Sequence, residues 1–221
     1  MTREATVVLS GVARRFGRRW VLRGVDLQVA AGESVALMGN NGSGKTTLLR
    51  VIATLLRPTR GTARVLGFEI ASDAARVRAQ VGLLGHHAGL YDDLTAAENL
   101  SFSLRMAGLS NDREHIDRVL DQVGLTAERD HRARGFSAGM RRRLALARLL
   151  LRPPRLLLLD EPYAAFDADG VALVNRFARE VTDAGGTCII VTHDFARAEG
   201  AVQRVLHIDN GRVFDGLPLT V

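Results

Sequence analysis

The residues with the most specific chemistry lie in one glycine-rich run, GNNGSGKTT, at positions 39–47. A glycine, four further residues and then Gly-Lys-Thr form the phosphate-binding loop pattern, in which backbone N–H groups and a helix N-terminus surround phosphate oxygens. The run has the required context, because it follows the apolar segment SVALM and opens a helical pattern. We therefore predict a polyphosphate site with Mg²⁺ on the Thr46 hydroxyl. The predicted phosphate-binding residues are Gly39, Asn40, Asn41, Gly42, Ser43, Gly44, Lys45, Thr46 and Thr47.

Lys45 is the only lysine in a chain with thirty basic side chains. A compact ammonium fits a tight loop around two phosphates as a point charge, whereas the wide planar fork of arginine would require the loop to open. An arginine bias that stops at this one position therefore supports a catalytic, phosphate-binding role for Lys45.

A pair of carboxylates, Asp160 and Glu161, follows the apolar run RLLLL. In phosphate-loop enzymes an acidic residue at such a strand end holds Mg²⁺, and a second carboxylate can orient or deprotonate an attacking water. Taken alone, the pair is equally typical of an exposed strand end. Together with the phosphate loop, it predicts Asp160 as a metal-binding residue and Glu161 as a general base.

The composition is that of a soluble globular protein, with 47% hydrophobic and 24% charged residues in a chain of 221. The longest apolar runs are far shorter than the roughly 20 residues that span a bilayer, so we expect any membrane association to depend on a partner. The net charge of +6 comes from arginines scattered along the chain, and no nucleic-acid partner is expected. The single cysteine, Cys188, is predicted to be a buried apolar residue in a reducing cytoplasm.

The periodicity predicts an α/β fold with a helical insert. The first forty residues contain three short strand segments, ATVVLSGVARRF, WVLRGVDLQVA and ESVALMG. Helical spacing dominates from about His86 to Leu151, and strands then alternate with helices again. Ser137 is a candidate N-cap for a helix whose buried face holds Leu144, Ala147 and Leu151, and an Asn-Gly pair near the end predicts a hairpin turn. We expect one domain over 1–221, with a core at about 1–85 and 152–221 and a helical subdomain at about 86–151.

The segment GFSAGMRRRLALARLLL, placed just before the Asp-Glu strand, resembles the signature helix of ATP-binding cassette (ABC) ATPases. The order of phosphate loop, signature, Asp-Glu strand and VTHD is also the order of that family, over essentially the whole chain. The resemblance implies the ABC-type phosphate-loop fold, with a RecA-like core and N-terminal antiparallel strands. It also implies ATP hydrolysis with ATP and Mg²⁺ as cofactors.

The resemblance further implies roles for residues outside the phosphate loop. Phe16 would stack on adenine, although a core aromatic is the alternative, and His193 would contact the γ-phosphate. Asp167 would lie in a loop that links two sites. Ser137 and Gly139 would close over the ATP of a second copy of the chain in a head-to-tail dimer.

Two segments differ from the usual family pattern. The signature normally reads Leu-Ser-Gly-Gly-Gln, and here Met140 replaces its final polar residue. In VGLLGHHAG, His86 stands where the family has a glutamine that senses Mg²⁺ and water. An imidazole can make one of those hydrogen bonds, so His86, or its neighbour His87, is a candidate nucleotide-binding residue.

Several short segments are similar to the ATP-binding subunits of heme exporters in cytochrome c maturation. They are GHHAG, FSAGMRRRLALARLLL and LDEPYAAFDADGVAL. We therefore expect a transport ATPase that drives separate membrane permease subunits from the cytoplasmic face of the inner membrane. Export of drugs, lipids or polysaccharide is the alternative cargo assignment. A soluble ABC ATPase without a transport role and a regulator that does not hydrolyse ATP are the other two alternatives.

Overall fold

The computed structural model describes residues 4–85 and 89–216. It divides into two compact units. The first contains the chain up to Leu83, Pro154–Pro162 and the chain from Asn175 onward, and the second contains Leu84–Pro153 and Tyr163–Val174.

Strands and helices follow the predicted order. The strands are β1 (Ala5–Phe16), β2 (Arg19–Ala30), β3 (Ser34–Met38), β4 (Arg60–Val65), β5 (Phe68–Glu69), β6 (Val81–Leu84), β7 (Leu156–Asp160), β8 (Thr187–Val191), β9 (Arg204–Asp209) and β10 (Arg212–Asp215). The α-helices are α1 (Lys45–Ile52), α2 (Ala74–Arg78), α3 (Ala96–Met106), α4 (Arg113–Gln122), α5 (Ala138–Leu150), α6 (Ala168–Asp183) and α7 (Phe195–Ala198). Two short 3₁₀ helices lie at Ala133–Gly135 and Glu199–Ala201.

The first sheet is antiparallel, with the strand order β2-β1-β4-β5. Its first two strands form a hairpin of two 12-residue strands, which match the predicted segments ATVVLSGVARRF and WVLRGVDLQVA to within one residue. Gly11 and Gly24 lie within these strands without ending them. Both glycines have positive φ, and the β1–β2 pairing shifts register between Leu9 and Val12 to accommodate Gly11. A glycine inside a strand segment can therefore mark an irregularity within a continuous ladder.

The second sheet has six strands in the order β10-β9-β3-β8-β7-β6. Strands β9, β3, β8 and β7 pair in parallel, so their carboxyl ends meet at one edge of the sheet. At the other end of the strand order, β9 and β10 form an antiparallel hairpin. Its turn residues, Asn210 and Gly211, have φ values of 48° and 76°, which is the geometry that a type I′ turn requires. The predicted turn is confirmed.

Apolar side chains of both sheets and of α1 share one core in the first unit. The strand β7, read as LLLLD, is buried along its whole length, and β8 is buried in the same way. Such continuous burial is typical of central parallel strands that are covered on both faces. Cys188 of β8 is fully buried, which confirms its prediction as an apolar core residue, and burial raises the pKa of its thiol above the usual range.

The second unit is helical. Helix α3 begins with a capping box, in which the Thr95 hydroxyl accepts from Glu98 N and the Glu98 carboxylate accepts from Thr95 N. Helix α5 begins at the predicted N-cap, because the Ser137 hydroxyl accepts a hydrogen bond from Met140 N at 3.2 Å. The predicted apolar face of α5 is confirmed by the buried residues Leu144, Ala147 and Leu151. Within the described ranges, no helix is long and apolar enough to cross a bilayer.

Candidate functional site

The phosphate-binding loop joins the buried strand β3 to helix α1, at the edge where the parallel strands end. Two of its glycines are required by their surroundings. Gly39 has φ of 151°, and a Cβ at this position would lie 2.2 Å from the Ile208 carbonyl oxygen. Gly44 has φ of 115°, and its Cβ would lie 3.0 Å from Leu22 Cδ2. The loop is therefore packed against β9 on one side and β2 on the other, so one strand from each sheet fixes its course.

Lys45 is the first residue of α1 and is only 7% exposed. Its ammonium donates to the carbonyl oxygens of Gly39 at 2.6 Å and Asn40 at 3.1 Å, so the side chain folds back over the loop. None of the ion pairs found among residues 4–85 and 89–216 includes Lys45. A buried cation without a carboxylate is costly unless an anion is bound. The ammonium has three donors, and two loop carbonyls leave a donor for a phosphate oxygen.

Thr46 and Asp160 bring two oxygen atoms together beside the loop. The Thr46 hydroxyl donates to Asp160 Oδ1 at 3.2 Å, and Asp160 is 3% exposed at the end of β7. Mg²⁺ prefers oxygen ligands at about 2.1 Å in octahedral geometry, which places neighbouring ligand oxygens about 3 Å apart. The donor set and its spacing therefore fit Mg²⁺. The described residues contain no group of three or more acidic, histidine or cysteine side chains that could hold a metal ion.

Glu161 follows directly, with a left-handed backbone φ of 47° and its N–H donated to the Val191 carbonyl. A side chain with this backbone conformation is uncommon outside glycine and asparagine, and such strain is concentrated at functional sites. The Glu161 carboxylate Oε2 lies 2.9 Å from His193 Nδ1. The structure thus brings together Glu161 and His193, two residues that the sequence placed in separate motifs.

The signature residues lie in the second unit. Ser137 caps α5, and a Cβ on Gly139 would lie 3.2 Å from the Ala165 carbonyl oxygen, so this glycine permits the close approach of the loop before α6. In that loop, Asp167 accepts from Gly170 N at 2.8 Å and from the Arg143 guanidinium at 3.2 Å. The backbone hydrogen bond from Gly170 and the charge of Arg143 hold the pKa of Asp167 below its usual range. Arg143 was not among the predicted residues, since one arginine of an RRR run carries no distinguishing signal.

Phe16 ends β1 and is 44% exposed, so it is not a core aromatic. The Arg14 guanidinium lies over its ring, 4.7 Å from the ring centroid. This contact was also missed, because arginines surround Phe16 in the sequence RRFGRR and nothing in their order distinguishes Arg14. His86 and its neighbour His87 lie outside the described residues.

Comparison with known proteins agrees with this geometry. The sequence model of the family described as "ABC transporter" matches residues 22–164, and the chain belongs to that family. The daunorubicin resistance ATP-binding protein DrrA3 of Streptomyces coeruleorubidus is 37% identical over 95% of this chain. The cytochrome c biogenesis ATP-binding export protein CcmA 2 of Cupriavidus metallidurans is 40% identical over 85% of this chain and 89% of its own length. By contrast, the match spans 67% of DrrA3 and 62% of the DrrA of Streptomyces peucetius.

The fold is shared with a solved ATP-binding cassette, MJ0796, whose dimer has been observed in a post-hydrolysis state bound to ADP and Pi. The two chains superpose with a TM-score of 0.85 at 27% identity, over 94% of this chain and 96% of that one. The expected α/β ABC nucleotide-binding fold is therefore confirmed. The chain is an ATP-binding subunit with ATP hydrolase activity, of the kind found in ABC transporters.

Proposed function

We propose that the chain is the ATPase subunit of an ABC transporter and drives separate membrane permease subunits from the cytoplasmic face of the inner membrane. Its two units would act as one ABC ATPase domain over residues 1–221. The main observation in support of a nucleotide site is the environment of Lys45. Its buried ammonium donates to two carbonyl oxygens and belongs to none of the ion pairs found among the described residues. A polyphosphate supplies the negative charge that this position otherwise lacks.

In this proposal the loop residues from Gly39 to Thr47 hold the phosphates of ATP, with Lys45 between the β- and γ-phosphates. Phe16 stacks on the adenine ring. Thr46 and Asp160 hold Mg²⁺, directly or through a water, and the ion neutralises charge on the phosphate oxygens when bound. His86 would take the position of the usual glutamine.

Glu161 is the proposed general base. Its carboxylate takes a proton from the water that attacks the γ-phosphorus, while the bond from that phosphorus to the bridging β-phosphate oxygen breaks and ADP leaves. His193 keeps the carboxylate in place through the 2.9 Å contact with Oε2 and contacts the γ-phosphate. The left-handed backbone of Glu161 supports this role, because such uncommon conformations are concentrated at functional sites.

The working form is proposed to be a head-to-tail dimer with ATP between two copies. Ser137 and Gly139 of one copy close over the ATP held by the other, and Asp167 connects the two sites. The N-terminus of α5, with its cap at Ser137, offers the positive end of a helix to phosphate oxygens. The dimeric MJ0796 structure supports this arrangement by likeness of fold.

For the cargo we propose heme, in the export step of cytochrome c maturation. The segments GHHAG, FSAGM and LDEPYAAFDADGVAL support it, as does the likeness to CcmA 2. Drug export is a second candidate, because the DrrA relatives are of similar identity.

The test is gentle affinity purification of the tagged chain from its own membranes, with identification of the co-purifying subunits and an absorbance scan for heme. We expect membrane permease subunits and a heme absorbance band in the eluate. Permease subunits without heme would favour the drug exporter. A ribosome or DNA in place of permease subunits would overturn the transporter assignment.

A further inference from the structure

The tip of the β1–β2 hairpin lies beside the phosphate-binding loop. Arg14 pairs with Leu22 in the β1–β2 register, and Leu22 Cδ2 is the atom nearest to a Cβ built on Gly44. Phe16 pairs with Arg19 at the end of the same ladder. A base attached to phosphates in the loop would therefore reach the hairpin tip near Phe16.

The Arg14 side chain is held in place on one face of the Phe16 ring. Its guanidinium carbon lies 4.7 Å from the ring centroid, and its Nη1 donates to the Arg57 carbonyl oxygen at 2.8 Å. The Nε atom is buried and has no hydrogen-bond partner among the described residues, so the guanidinium is oriented by the ring and by one carbonyl. Phe16 is 44% exposed, so part of its side chain remains open to a ligand while Arg14 lies over the ring.

We propose that Arg14 is a positioning residue of the nucleotide site. Its guanidinium packs against one face of the Phe16 ring and holds the ring in a fixed orientation, a contact that we call the Arg14 clamp. The opposite face of the ring then stacks on the adenine of ATP. This inference rests on the proposed stacking of Phe16 on adenine. A cation over an aromatic ring favours that ring orientation, and a ring already held in place loses less freedom when a base stacks on it.

The test compares ATP with inorganic tripolyphosphate, which has the phosphate chain but no base. In the full-length Arg14→Gln variant, we expect the Kd of ATP, measured by isothermal titration with Mg²⁺, to rise about three- to tenfold. The Kd of tripolyphosphate should remain that of the wild type. In steady-state assays the KM for ATP should rise while kcat is retained, because stacking is made equally in the ground state and the transition state.

Arg15 provides a matched control. Its guanidinium also lies over an aromatic ring, 5.5 Å from the centroid of Trp20, but not over Phe16. Arg15→Gln removes the same charge from the same hairpin, and it should leave both affinities unchanged. An equal loss of ATP affinity in Arg15→Gln would show that net charge, and not the clamp, is responsible, and would overturn the proposal.

Phe16→Ala separates this inference from the function on which it rests. If Phe16→Ala weakens the binding of ATP but Arg14→Gln does not, the positioning role of Arg14 is wrong and the stacking of Phe16 on adenine is retained. If Phe16→Ala leaves ATP affinity unchanged, the stacking itself is wrong. If Arg14 acts through Phe16, Arg14→Gln should cause no further loss of ATP affinity in the Phe16→Ala variant. An additive loss of ATP affinity in the double variant would contradict the proposal, and so would weaker binding of tripolyphosphate in Arg14→Gln.

Discussion

Lys45 and Glu161 have unusual surroundings for residues of their types. The first is a buried cation on carbonyl oxygens, and the second has a backbone conformation that glutamate rarely adopts. Both were predicted from sequence motifs. The contacts that hold them, such as the Glu161–His193 pair, could not be predicted, because they join segments that are distant in the chain.

Replacement of Glu161 by glutamine should leave ATP binding intact and reduce turnover by about 10²–10⁴-fold, since the amide cannot accept the proton of the attacking water. Phosphate release by the reconstituted transporter measures turnover, and titration with ATP measures binding. Glu180→Gln is the matched control, because it removes the same charge from an exposed position near the end of α6, outside the proposed site. Wild-type turnover in Glu161→Gln would rule out the general base.

Lys45→Arg tests the steric argument for the lone lysine. The guanidinium fork cannot occupy the place of an ammonium that lies within hydrogen-bond distance of two loop carbonyls, so we expect at least about a tenfold loss of ATP affinity or of hydrolysis. Arg50→Lys, an opposite exchange on the exposed side of the same helix, should behave as wild type. Unchanged kinetics in Lys45→Arg would refute the argument.

Cys188 should resist thiol reagents in the folded protein. The thiol is fully buried in β8, and burial raises its pKa, so the reactive thiolate is scarce and inaccessible. With a chromogenic disulfide reagent we expect no reaction in buffer and one thiol per chain in denaturant. Rapid labelling of the native protein would indicate that β8 opens locally.

At the scale of elements, the sequence predicted most strands and helices but not their exact extent. The Asn210–Gly211 turn and the Ser137 cap were predictable because each depends on a local rule. The extent of β1 and β2 was predictable too, since the segments ATVVLSGVARRF and WVLRGVDLQVA match these strands to within one residue, but the register shift beside Gly11 depends on pairing across the ladder and was not. Helix α2 was missed as well; it has five residues, too few to show a period.

The caps of α3 and α5 allow a structural role to be separated from a functional one. Thr95→Ala and Ser137→Ala each remove a side chain that caps a helix, so each should lower the free energy of unfolding by about 1 kcal/mol in urea titrations. Only Ser137→Ala should also reduce ATP hydrolysis, because only that hydroxyl is proposed to contact ATP. Equal activity in the two variants would remove Ser137 from the site.

At the scale of the whole molecule, the proposed ATP-binding residues are divided between two units of the chain. Lys45 and Glu161 belong to the first unit, whereas Ser137 and Asp167 belong to the second. The sequence predicts Ser137 in the helical subdomain at about 86–151, but it predicts Asp167 in the core at about 152–221. The contribution of His86 remains a prediction, since that residue lies outside the described part of the chain.

The proposed partners lead to a fractionation experiment. Expressed with its permease subunits, the chain should sediment with membranes, and expressed alone it should stay in the supernatant. In the proposed function the permease subunits are what attach the chain to the membrane. Sedimentation with membranes in cells that lack the permease would contradict the peripheral-subunit assignment.

The left-handed backbone at Glu161 has a consequence for protein engineering. Glycine adopts this conformation without strain and asparagine with little, so either substitution should relieve a local cost of about 1–3 kcal/mol. A library screened for thermal stability alone would therefore enrich substitutions at the position proposed to activate water. Selection for heat resistance and selection for turnover act in opposite directions at residue 161, and a stabilised cassette should be designed with that position held fixed.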